Sequence, residues 1–294
     1  MENLYVCNTS SDFISVINLD FFKEKHKINL RTNNYNKMGP HGMCVKNDKL
    51  LVANNYSDSL SIIDIKNYKN VENYFIGSNC NDLVVNEDMA YIICGDLNNV
   101  ILFNLTNKVI EESVPCGNLP FSIDINKKKK LLAISNVQED SLTLIDCENR
   151  DNTKKIRVGS YPTKAIFTSD GNYILVCESN IGSDFRGNIS IISLKNFNLV
   201  NRIEVGNSPV DMYYDGKNCF VSNFGEGSIS IVDTNCYREI KKINVGGMPR
   251  GIVKANNYVY VGDNYNDLLF RIDIKGEKKK VIRIGGEPTG MTIY

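Results

Sequence analysis

Six of the seven prolines in this 294-residue chain fall at one phase of one repeat, and no other feature limits the fold as strongly. They are Pro40, Pro120, Pro162, Pro209, Pro249 and Pro288, with Cys80 in the equivalent place within Ser-Asn-Cys-Asn-Asp-Leu. The steps between them are 40, 40, 42, 47, 40 and 39 residues, and the wrap through the two ends of the chain is 46. Each period carries four short apolar segments divided by turn residues. The clearest copy covers residues 219–222, 229–232 and 240–245, then a Gly-Gly-x-Pro-x-Gly turn into 252–254.

A period near 40 with four strand signals predicts an all-β chain, a seven-bladed β-propeller of four-stranded antiparallel blades, formed as one domain over 1–294. Length alone suggests two domains, but a repeat spanning the whole chain overrides it. The chain opens out of phase, with second, third and fourth segments at 4–8, 14–17 and 27–30, and the missing first segment comes only at 290–294. The ends are therefore expected to pair in a shared blade, leaving no long open edge.

Composition narrows the partners. Lys plus Arg equals Asp plus Glu, 34 each, so global charge makes no case for nucleic acid or an anionic membrane. No apolar run approaches the roughly 20 residues of a membrane span, and the start, MENLYVCNTSS, lacks the basic and apolar regions of a leader. A cytoplasmic monomer is the resulting expectation. The nine cysteines are odd in number and contain no Cys-x-x-Cys, so they read as reduced, small core residues. No cofactor or metal is expected. The spacing in VGGMPRG differs from a dinucleotide fingerprint, and no nucleophile elbow, phosphate loop or calcium loop is present. Asp64, Asp146, Asp233 and Asp273, at the ends of third segments, read as turn caps on the far face.

The pattern Tyr-Val-Thr-Asn, then Val-Ser-Val-Ile-Asp, then Ile-x-Val-Gly-x-x-Pro-x-Gly resembles the YVTN repeat family of seven-bladed propellers. Here it stands as FVSN, SISIVD and INVGGMPRG, and elsewhere as YVCN, FISVIN and IRVGSYPTK. The resemblance spans the chain and departs at Cys80 for the Pro and at Gly95, Glu178 and Asp263 for the Asn. With no Trp, the Trp-Asp propeller signature is absent. The resemblance implies a binding surface, often on secreted or cell-surface proteins; some similar propellers are lactonases or lyases.

Strand direction alternates, so the turn into the first strand and the turn after the second open on one face. Both oversized loops, near residues 32–37 and 180–186, belong to these turns, and loops on a rigid scaffold are the usual place for binding. A repeat asks for one residue seven times, so departures mark candidates. They are His41, Asp82, Lys164, Asp211 and Arg250 just after the Pro, and Glu178 and Asp263 in the Asn ring. Tyr56, Phe121, Phe185, Phe224 and Tyr265 lie near them in sequence or phase. The repeated Asn reads most simply as a turn residue bonding its own backbone. The expected function is a non-enzymatic scaffold taking a protein, peptide or small polar ligand at the channel mouth. The plain alternative for these charges is a solvated, self-neutralising rim. The enzymatic alternative is a lactonase or lyase with His41 as acid or base and Glu178, Asp82 or Asp211 as partner or as oxygen ligands for a divalent cation.

Overall fold

The computed structural model describes residues 2–31, 37–69, 71–275 and 278–294. It contains seven four-stranded antiparallel sheets arranged in a ring. Blade 1 joins Asn3–Asn8, Phe13–Asn18 and Lys23–Asn29 to the last strand, Pro288–Ile293. Leu4 pairs with Ile293 and Tyr5 with Thr292, and Asn3 and Tyr294 exchange both backbone hydrogen bonds. Blades 2 to 7 then follow in chain order, their inner strands being Pro40–Lys46, Cys80–Asn86, Pro120–Asn126, Pro162–Phe167, Pro209–Tyr214 and Pro249–Ala255.

Burial explains the sequence texture of each blade. Second strands such as Lys49–Asn54 and third strands such as Ser59–Asp64 are covered on both faces by neighbouring blades, which is why they read as near-continuous apolar runs. The outer strand Lys23–Asn29 is mostly exposed and accordingly polar. His26 sits there, exposed, stacked on Tyr68 with ring centroids 4.8 Å apart.

The apolar core is divided into seven clusters, and each joins two adjacent blades. One combines Leu51, Leu60 and Ile62 of blade 2 with Leu83, Ile92 and Phe103 of blade 3. The cluster that closes the ring sets Leu4, Val6 and Ile17 of blade 1 against Val253, Tyr260 and Leu269 of blade 7. At roughly 1.5–3 kcal/mol per fully buried aliphatic side chain, each seam contributes a large share of the stability of the two blades it joins. Arg271 of blade 7 adds a polar seam, donating to the Leu19 carbonyl at 3.1 Å while lying between Phe22 and Tyr258.

The marker Pro is the first residue of the inner strand, not part of the preceding turn. It faces the last residue of the second strand, as Pro40 faces Asn54, where its missing N–H costs little. Ladder register then slips by one residue just beyond it, between Pro40 and Gly42 and likewise in five further inner strands. Blade 1 shows the same irregularity opposite Val6 and Asn8. A bulge re-aims side chains, and here it turns the residues after the Pro toward the ring axis.

The repeated Asn does more than hold its own turn. Asn54 donates to Ser59 and Ser61, Asn136 to Ser141 and Thr143, and Asn223 to Ser228 and Ser230, all across to the third strand. The side-chain carbonyl oxygens of Asn136 and Asn223 accept from the backbone N–H of Gly117 and Gly206, in the turn before the marker Pro of their own blade. The register also corrects the phase of blade 3. Cys94, not Gly95, stands in the Asn place, because Cys80 pairs with Cys94 as Pro40 pairs with Asn54.

The expected long loop at 32–37 lies outside the described residues except for Lys37. The other, at 180–186, joins the second and third strands of blade 5, and Arg186 Nε donates to the Val205 carbonyl in the turn leading to Pro209. That contact places it beside the Pro turns. Asp64, Asp146, Asp233 and Asp273 accept backbone N–H groups from their own turns, as caps do.

Candidate functional site

The inner strands enclose a channel of about 210 Å³ lined by His41, Asp82, Lys164, Asp211 and Arg250, with Phe121, Ser122 and Thr163 between them. It opens on the Pro-turn face into a shallower hollow of about 420 Å³ lined by Asn55, Tyr56, Asn79, Asn81, Phe121, Arg250 and Glu287. Five of the seven residues singled out by their departure from the repeat thus converge on the axis.

Much of the channel polarity is used to stitch blades together. Asp82 Oδ2 accepts from Ile123 N at 3.4 Å, Asp124 Oδ2 from Phe167 N at 2.7 Å, and Asp211 Oδ2 from Ile252 N at 3.3 Å. Ser122 Oγ accepts from Ala165 N at 3.0 Å. In each case a side chain on one inner strand takes a backbone N–H of the next. Asn81, Thr163 and Thr289 do the reverse, donating to the carbonyls of Pro120, Pro209 and Pro40.

The two cations of the channel differ sharply. Lys164 Nζ lies 3.1 Å from Asp82 Oδ2, an ion pair reaching from blade 5 to blade 3 across the intervening blade. Water reaches about a quarter of the Lys164 side chain (26% exposed). Burial works to lower its pKa, but Asp82, Asp211 and Asp124 outweigh that and raise it above the usual lysine range. Burial in turn raises Asp211 and Asp124, against the pull of Lys164 and their backbone donors.

Arg250 has no carboxylate within ion-pair distance among the described residues. Its one hydrogen bond runs from Nη2 to His41 Nε2 at 2.8 Å, and its guanidinium carbon stands 5.8 Å from the centre of the Phe121 ring. His41 Nδ1 lies 2.8 Å from the Asn81 carbonyl, to which it donates, so the ring is the neutral tautomer with Nε2 accepting from Arg250. Burial, then the charge of Arg250, depress the His41 pKa to about 3. Burial also lowers Arg250, while the more distant Asp211 and Glu287 work to raise it. Gly290 permits this arrangement, since a Cβ there would stand 2.3 Å from the His41 carbonyl oxygen.

Glu178 and Asp263 do not join the channel. Glu178 is 1% exposed, accepts from Gly159 N at 2.8 Å and pairs with Arg202 at 2.9 Å, doing the work of the Asn it replaces. Asp263 is 2% exposed and accepts from Met248, Tyr265 and Asn266 backbone groups. The structure places these two within their own blades, and not on the channel: each departure from Asn is matched by nearby donors, Gly159 and Arg202 for Glu178 and the turn amides for Asp263. The acidic partner expected for His41 is likewise missing, because neither Glu178, Asp82 nor Asp211 hydrogen-bonds the imidazole. Tyr56 and Phe121 reach the mouth, whereas Phe185 and Tyr265 stand exposed on loops. The sequence reading passed over Asn55 and Asn79, mutually hydrogen-bonded at the mouth, and Asp124. The signal was available in part: Asn79 directly precedes the marker position, and Asp124 follows Pro120 by four.

No protein-family model matches this chain, and no curated protein matches its sequence. Solved structures do match in shape. A functionally unknown protein from Desulfotomaculum acetoxidans superposes with a TM-score of 0.82 at 17% identity, over 99% of this chain and 98% of that one. Hydrazine synthase from Kuenenia stuttgartiensis gives 0.76 at 17% identity, over 96% and 92%. Virginiamycin B lyase from Staphylococcus aureus gives 0.73 at 14% identity, over 86% and 88%. At these identities the likeness is one of fold.

Proposed function

We propose that this propeller, built on YVTN-type repeats, is a binding module whose channel mouth takes a small polar ligand or peptide end bearing a carboxylate or similar anion. The observation that carries this reading is Arg250, a half-buried cation whose guanidinium, among the described residues, hydrogen-bonds only a neutral imidazole. A charge drawn partly out of water without a counter-charge is under-solvated, and an anion seated on the guanidinium would offset that with charge-assisted hydrogen bonds. The amides of Asn55, Asn79 and Asn81 and the flat faces of Phe121 and Tyr56 suit the polar and planar parts of such a ligand. Asp82, Lys164 and Asp211 form the floor of the site beneath it.

Two properties of His41 weigh against lactonase or lyase chemistry through that residue. With a pKa near 3 the ring is a poor base at neutral pH, and its free lone pair is already engaged by Arg250. The test is calorimetric titration with short peptides and dicarboxylates, compared with their amidated counterparts. Binding of the acids, lost on amidation and in Arg250→Ala, supports the reading; equal binding of acid and amide, or none of either, overturns it.

A further inference from the structure

Six blades end the second strand with a polar residue facing the marker Pro, a polar clamp that blade 3 lacks. In those six the residue is Asn, Glu or Asp. In blade 3 both members are cysteine, at Cys80 and Cys94. The third-strand hydroxyls are absent as well, for Asn99 and Ile101 stand where blade 2 has Ser59 and Ser61, as Leu268 and Phe270 do in blade 7. These changes occur together in one blade and leave an apolar pocket shared with Leu60, Ile76 and Ile101.

Both cysteines are fully buried, they are direct cross-strand partners, and their sulfurs are 3.7 Å apart. Cys80 Sγ donates to the Gly77 carbonyl at 3.0 Å. No other thiol–thiol contact occurs among the described residues. A small rotation about each Cα–Cβ bond would bring the sulfurs to the roughly 2.05 Å of a disulfide. We propose that Cys80 and Cys94 are a disulfide-forming pair, in which a covalent bond takes the place of the polar clamp that holds the other six blades. The pair lies under Gly77 and Leu97, next to Asn79 and Asn81 of the mouth, so the bond would also fix that wall of the hollow.

The chemistry is thiol–disulfide exchange with a low-molecular-weight disulfide. One cysteine attacks a sulfur of the oxidant, whose S–S bond breaks and releases one thiol; the second cysteine attacks the mixed disulfide, forming the Sγ–Sγ bond and releasing the second thiol. The two cysteine protons leave on the two released thiols. The neighbouring Cys94 sulfur, together with burial, holds the Cys80 thiol protonated, so in the folded protein exchange waits on local opening of the blade.

The experiment equilibrates the whole chain in oxidised or reduced glutathione, denatures it with excess alkylating agent and weighs it. The expected result is two fewer alkylated thiols after oxidation, a Cys80–Cys94 cross-link in the peptide map, and a melting temperature raised by about 5 °C. In the double variant Cys80→Pro/Cys94→Asn, which restores the sibling pairing, neither the alkylation count nor the melting temperature should respond to glutathione. Full alkylation of wild-type protein refolded under oxidation, a cross-link between other cysteines, or an undiminished response in the double variant would overturn the assignment.

Discussion

Lys164 and Arg250 stand in the same channel, one residue or two past the same marker Pro, and have opposite surroundings. Lys164 is met by Asp82 at 3.1 Å and feels Asp211 and Asp124 as well, while Arg250 meets a neutral imidazole and the face of Phe121. The lysine is part of the scaffold: it neutralises carboxylates that are themselves stitched to neighbouring strands. The arginine is a charge held in place without a counter-charge, which is what a receptor for anions requires. A departure from the repeat therefore points to binding only where the neighbouring blades leave it uncompensated, and Glu178 with its Arg202 makes the same point at the blade end.

The largest expected effect comes from removing the strand that closes the ring between the blades of Arg250 and His41. Deleting residues 290–294 takes away most of the inner strand of blade 1 and unzips the ring, with a loss comparable to the stability of a whole domain, on the order of 5 kcal/mol or more. An unchanged melting temperature would contradict closure by the two ends. Next, Lys164→Ala strands Asp82 and Asp211, and the expected loss is about 3 kcal/mol in denaturant unfolding, partly restored by adding Asp82→Asn, with little change in ligand affinity. Arg250→Ala should behave inversely: stability within about 1 kcal/mol of wild type, since it removes an unpaired cation, and anion affinity lower by about tenfold or more, the worth of a charged hydrogen bond. If the two substitutions gave the same phenotype, the contrast between the cations would fail.

The smallest effect is a pH dependence. The folded-state pKa of His41, about 3, lies below its ordinary 6.5, so the unfolded chain takes up this proton first as pH falls. The contribution of His41 is complete above pH 6.5 and is lost going down, at up to about 1.4 kcal/mol per pH unit. Asp211 and Asp124, whose pKa values burial raises, act in the opposite sense at lower pH. The difference between wild type and His41→Gln between pH 6.5 and 5 isolates the histidine. A His41 ring signal titrating near pH 6 in nitrogen-15 spectra would contradict the neutral, arginine-bound tautomer.

The seven blades and five residues lining the channel were legible in the sequence because a bulge after the marker position repeats with it and turns the following residues inward. Partners were not legible. Asp82 and Lys164 are 82 positions apart and meet only because the ring radius sets two inner strands across from each other. Glu178 looked like a site residue because Arg202, on the outer strand, has no fixed place in the repeat. Cys94 escaped notice for a different reason: Cys-Gly was phased one residue late, so two cysteines that face each other across a ladder were never set side by side.

The most direct test is the position of a heavy anion. In bromide-soaked crystals, anomalous scattering should show a peak against the Arg250 guanidinium, on the side away from His41, and none at Lys164. A peak at Lys164, or an Arg250 that binds no bromide at concentrations saturating other surface sites, would contradict the reading of Arg250 as the unpaired cation of this channel.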